Sequence, residues 1–117
     1  MNSELPVLRV RFFRTQSGRE PVRDWLFEQD KEVRKLIGED IKLVQFRWPL
    51  GMPLVRKLEV GLWEVRTNLA GNRISRVFFL VNDQEMVLLH GFIKKSEKTP
   101  LHEIELARNR RNLWYGD

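Results

Sequence analysis

The chain contains no cysteine, which removes disulfides, thiolate metal sites and cysteine nucleophiles from consideration and suits a reducing compartment. Histidine is scarce as well. His90 and His102 are the only two, so a metal site would need carboxylate ligands, and neither metal nor cofactor is expected. Long apolar runs are missing: none approaches the about 20 residues of a membrane-spanning helix. Met1 to Val10 carries Glu4, Pro6 and Arg9 where a signal peptide would have an apolar block. A cytoplasmic protein with no membrane partner is therefore expected. Internal repeats, low-complexity segments and linkers are absent too, and the 117 residues suit one domain, 1–117, that buries a core without cross-links.

What the chain does have is positive charge. A net charge of +5 and a pI near 10 favour polyanionic partners, although 32% charged residues also suit a plainly solvated surface. The cations are not confined to loops. They recur in three strand-like runs, Lys57 to Arg66, Arg73 to Phe79 and Leu88 to Lys95. A cation inside an apolar strand costs desolvation unless it meets an anion, so the repetition points to a phosphate-binding sheet face.

Periodicity supplies the elements. Val7 to Arg14 alternates, with Leu8, Val10 and Phe12 on one face and Arg9 and Arg11 on the other. Pro21 suits the first turn of a short helix bearing Val22, Trp25 and Leu26. Asp30 can cap a second helix, whose Val33, Ile37, Ile41, Val44 and Trp48 recur at helical spacing until Pro49. Leu50 to Arg56 reads as a loop. Strands follow near 62–69, 73–82 and 86–95, joined at Ala70-Gly71-Asn72 and Asn82-Asp83-Gln84-Glu85. In the first of them Trp63, Val65 and Leu69 face the helices, while Glu64, Arg66 and Asn68 form a polar side. Thr99-Pro100 reads as a cap and first-turn proline opening a last helix, with Leu101, Ile104 and Ala107 inward. The expectation is an α+β domain of order β-α-α-β-β-β-α, an antiparallel meander backed by a helical hairpin.

At Lys57-Leu58, Gly61-Leu62-Trp63-Glu64 with Arg66, Arg76 with Phe79, Leu88-Leu89-His90-Gly91-Phe92 with Lys94-Lys95, and Thr99-Pro100 with Glu103-Ile104 and Ala107, the sequence resembles the RelE/ParE superfamily of bacterial toxins, in particular its phage-related, HigB-like branch. The resemblance covers 57–107 closely and the first 50 residues only in their strand and hairpin. It implies a RelE-like sheet backed by helices and the toxin of a type II toxin–antitoxin system. RelE- and HigB-type members are metal-independent mRNA endoribonucleases that act in the ribosomal A site, arrest translation and are silenced by a cognate antitoxin, here expected to be a helix-turn-helix protein. ParE-type members instead inhibit DNA gyrase without nuclease activity, and a degenerate phage-derived RNA-binding remnant is a third outcome. Fold alone does not choose among them.

Metal-free RNA cleavage needs a base for the 2′-hydroxyl, a stabiliser for the phosphorane and an acid for the leaving oxygen. Arginine performs only the second task, since it stays protonated. Glu64 and Arg66, two apart on one strand face, suit base and clamp, or an ordinary surface ion pair. Arg76, on the face of Phe78 and Leu80, needs an anion, either a phosphate or Glu64 on the next strand; it resembles the strand arginine that contacts the scissile phosphate in RelE-like nucleases. Lys94 shares a face with His90 and Phe92, and Phe92 can stack on a displaced base, though it lacks the hydroxyl of the family's catalytic tyrosine. His90 suits an acid or a satisfied core residue. The expected catalytic set is thus Glu64, Arg66, Arg76 and Lys94. RNA-binding roles fall to Phe92, Arg73 and Lys95; to Arg56 and Lys57, which resemble the family's backbone-holding cations; and to Arg108, Arg110 and Arg111 of the last helix.

Overall fold

The structure, a computed structural model, describes residues 5–116; Glu4, one of the residues that speak against a signal peptide, lies outside them. The elements are β1 (Arg9–Phe12), α1 (Pro21–Glu28), α2 (Lys31–Arg47), β2 (Val55–Glu59), β3 (Leu62–Leu69), β4 (Arg73–Asn82), β5 (Glu85–Lys94) and α3 (Leu101–Trp114). One five-stranded sheet has the order β1-β5-β4-β3-β2.

Two expectations need correction. The sheet is mixed, because β1 pairs parallel to β5 while all other neighbours are antiparallel. The helical hairpin carries the chain from β1 over one face to the far edge, and the strands then step back until β5 lies beside β1. The second correction is β2, which the sequence presents as the end of a loop followed by a charged approach to β3. As an edge strand it exposes Arg56 and Lys57 and carries a register shift between Lys57 and Glu59. Charge and irregularity protect an edge from further pairing, and they also erase the apolar alternation by which a strand is read.

Both faces of the sheet are covered. Val22 of α1 and Val33, Ile37, Ile41 and Val44 of α2 pack with Val65, Val77, Phe79 and Leu88 on one side. On the other, Ala107 of α3 packs with Leu62, Phe78, Leu80, Val87 and Leu89. Burial on two sides is why β4 and β5 read as nearly continuous apolar runs. Asp83 and Gln84, with φ of 49° and 65°, make the two-residue turn between them with both central residues left-handed. Against the first face, α1 lies so close to β5 that a Cβ on Gly91 would sit 2.6 Å from the Trp25 ring.

The helix starts differ in detail. Asp30 occupies the cap of α2 without a side-chain capping bond. At α3 the cap position belongs to Pro100, and Leu101, expected inward, is 63% exposed. Thr99 precedes the helix and spends its hydroxyl elsewhere.

Candidate functional site

Strand register sorts the candidate residues onto faces. On the α3 side one row runs Arg56, Glu64, Phe78, His90 and the next Arg66, Arg76, Phe92, with Lys94 opposite Ile74 beyond them. Lys57 is on the opposite side, its Nζ 6.0 Å from the Trp63 ring centre. Arg73 is also on that side, paired with Leu69, and its Nε donates to the Ala70 carbonyl at 3.0 Å. The expected single cationic face is therefore two half-faces, because residues one apart on a strand point oppositely.

At the end of the sheet the α3-side rows meet a strap, residues 95–100, that leads from β5 into α3. Glu64 and Arg76 both have side chains 0% exposed beneath it. Thr99 donates its hydroxyl to Glu64 at 3.1 and 3.3 Å to the two carboxylate oxygens. Arg66 donates from Nε to Glu64 at 3.4 Å and from a terminal nitrogen to the Glu97 carboxylate at 3.3 Å. It also donates to the Glu97 carbonyl. Arg76 donates to the carbonyls of Ile74, Lys94 and Ser96, while its Nε lies 4.0 Å from Glu64 and makes no hydrogen bond among the described residues.

Burial, and after it the adjacent Arg66 cation, pull the Arg76 guanidinium below the ordinary arginine range, against the opposing pull of Glu64 and Glu97. It nevertheless stays protonated. Arg76 thus behaves here as a clamp on the protein's own carbonyls. Only Arg66, 16% exposed, presents its charge toward solvent, where it borders a cleft of about 330 Å³ lined also by Asp40, Leu54, Asn68 and Glu97.

The remaining candidates disperse. Lys94 and Lys95 are exposed at the end of β5, and Lys95 lines a cleft with Arg73 and Glu97. Phe92 is buried, 5.6 Å from the Arg76 guanidinium and stacked on His90 at 6.0 Å. Arg108 binds Glu59 through two nitrogens, at 2.8 to 3.2 Å, and Arg111 reaches the same carboxylate at 2.9 Å. The Arg108 hydrogen bond, foremost, holds the Glu59 carboxyl below its usual range. Arg110 donates to the Leu89 carbonyl at 2.8 Å and lies over Phe13. These three arginines tie α3 to β2 and β5.

Several partners escaped sequence reasoning. Glu103 meets His90 Nε2 at 2.6 Å; burial pushes the His90 pKa down despite this bond. Glu97 had a signal, being the lone acid in Lys94-Lys95-Ser96-Glu97-Lys98. Thr99 was disguised by the proline after it, which resembles a cap motif. A larger cleft of about 960 Å³ lies elsewhere, between β1 and α3, lined by Arg11, Phe13, Arg110 and Trp114 among others.

Comparison with known proteins adds a family. A family model described as phage derived protein Gp49-like (DUF891) matches residues 24–112. The chain belongs to this Gp49-like family. It is a RelE-like toxin family of phage derivation, and its members are consistent with the toxin of a toxin–antitoxin module. The matched span of this Gp49-like chain begins within α1 and ends within α3, so it includes Glu64, Arg66, Arg76 and the strap. A search of curated proteins gave no match. No helix among the described residues is long and apolar enough to cross a membrane.

Proposed function

We propose that this Gp49-like protein is the HigB-like toxin of a type II toxin–antitoxin pair, a cytoplasmic, ribosome-dependent mRNA endoribonuclease silenced by a helix-turn-helix antitoxin. The observation that carries the reading is the Glu64–Arg66–Arg76 cluster within the matched span, bordered by exposed Arg56, Lys94, Lys95 and Lys98. Exposed cations bind the RNA backbone regardless of sequence, and a partly exposed guanidinium at their centre can fork two phosphate oxygens.

In this mechanism Arg66 stabilises the charge that develops on the phosphorane. Glu64, 3.4 Å from Arg66 Nε, accepts the 2′-hydroxyl proton once the Thr99 hydroxyl leaves it; the 2′ oxygen bonds to phosphorus as the bond to the 5′ oxygen breaks, and water protonates the departing 5′ oxygen. Arg76 positions both, and Lys94 adds charge at the rim. Arg56 and Lys95 hold backbone phosphates beside the cluster, whereas Lys57 and Arg73 lie on the opposite side of the sheet and Arg108, Arg110 and Arg111 serve α3 packing. No metal takes part in this scheme.

Burial of Glu64 and Arg76 favours one competing reading, a ParE-like gyrase inhibitor with no chemistry of its own. Pulse labelling after induction separates them. An mRNA endonuclease stops protein synthesis before DNA synthesis; arrest of DNA synthesis first, with mRNA intact, would replace the nuclease reading with the gyrase one.

A further inference from the structure

Each nitrogen of Arg66 already meets an acceptor of the chain itself. One terminal nitrogen meets the Glu97 carboxylate at 3.3 Å and another the Glu97 carbonyl. A carboxylate and a carbonyl held together on one guanidinium imitate the two oxygens of a phosphodiester. Glu97 is the single acid in a strap otherwise carrying Lys95 and Lys98, yet it turns to Arg66. Its side chain is 83% exposed, so the contact is screened by water and weak enough to exchange. Beneath it, the fully buried Arg76 Nε has no hydrogen-bond partner among the described residues, which leaves the cluster short of one acceptor there. The cleft of about 330 Å³ beside Arg66 and Glu97 gives an incoming group a place to lie.

We propose that Glu97 is a self-ligand of Arg66, an autoinhibitory contact that an RNA phosphate must displace before the backbone can engage the site. This rests on the RNA-binding part of the proposed function. Closure of the strap and phosphate binding are then mutually exclusive, and each weakens the other by the same factor. An exposed ion pair of this kind accounts for about a two- to fivefold reduction in affinity.

The test is anisotropy with a fluorescent 2′-O-methyl oligoribonucleotide, which binds but cannot be cleaved, on the full chain. Glu97→Gln should tighten binding about two- to fivefold, and exchange of the amides of residues 96–98 in the wild-type protein should quicken when the oligonucleotide binds. Glu105→Gln, which removes an exposed acid on α3, controls for net charge and should tighten binding less. In an Arg66→Gln background, Glu97→Gln should add no more than Glu105→Gln does. Equal tightening by Glu97→Gln and Glu105→Gln, tightening beyond that of Glu105→Gln that survives loss of Arg66, no tightening, or no binding by any of these proteins would each overturn the proposal. If the pattern holds but ribosomes loaded with mRNA are not cut, the strap inference stands and the nuclease reading falls.

Discussion

The two arginines of the cluster make opposite predictions, because burial separates a charge that serves the fold from one that meets a ligand. Arg76→Ala leaves Glu64 without its enclosed cation and three carbonyls without a donor. It should cost about 3–5 kcal/mol in chemical denaturation, with activity lost alongside. Arg66→Ala removes a partly exposed group and should cost only about 1 kcal/mol, while ribosome-dependent cleavage falls by about two to three orders of magnitude, the scale of one lost oxyanion stabiliser. Arg66→Lys should restore part of the rate, since an ammonium keeps charge but not the fork. A cleaving Arg66→Ala protein would remove Arg66 from the reaction. His90 carries a pH prediction. Burial lowers its folded-state pKa, with Arg110 and His102 acting in the same sense and Glu103 opposing. The unfolded chain therefore takes up the proton first, so stability is full above about pH 6.5 and declines as the pH falls below it. Melting temperatures between pH 8 and 5 should show His90→Gln with a shallower decline than the parent; an unchanged slope would mean that His90 does not set it.

At the scale of elements, the packing of α1 on β5 depends on an absence of side chain. With a prospective Cβ 2.6 Å from the Trp25 ring, Gly91→Ala forces α1 outward or the indole from its rotamer, and should destabilise by about 1–3 kcal/mol in urea. Combining it with Trp25→Leu, which vacates that space, should cost less than the sum of the single changes. Strict additivity would show that the two residues do not share the contact. The secondary structure was legible wherever one periodicity dominated. Val33, Ile37, Ile41 and Val44 mark α2 because its inner face repeats at helical spacing, and the strand boundaries 62–69 and 73–82 agree with β3 and β4. It failed where residues had tertiary duties, as at β2, whose Arg56, Lys57 and Glu59 answer to solvent and to α3, and at Thr99, whose hydroxyl goes to Glu64.

For the whole molecule, a site that keeps its base enclosed gains most from a partner that splays and aligns the RNA. Cleavage should require mRNA on ribosomes, persist with chelator levels that leave ribosomes assembled, and end in a 2′,3′-cyclic phosphate. Mapping product termini checks this, and a 5′-phosphate with efficient cutting of free RNA would contradict the mechanism. The sequence by itself determined the α+β class, the helical hairpin, the three apolar strands and the basic character, because these depend on local periodicity and composition. Its motifs also pointed to a toxin family, which the Gp49-like match now supports in coarser form. Only the tertiary structure decided that the sheet is mixed, that Glu64 and Arg76 are enclosed, that the cations divide between two faces, and that Glu97 and Thr99 close over the cluster. The reason is physical: these facts arise where β3, β4 and the strap meet, between residues as far apart in the chain as Glu64 and Thr99, and no local pattern records which distant acceptor a guanidinium will find.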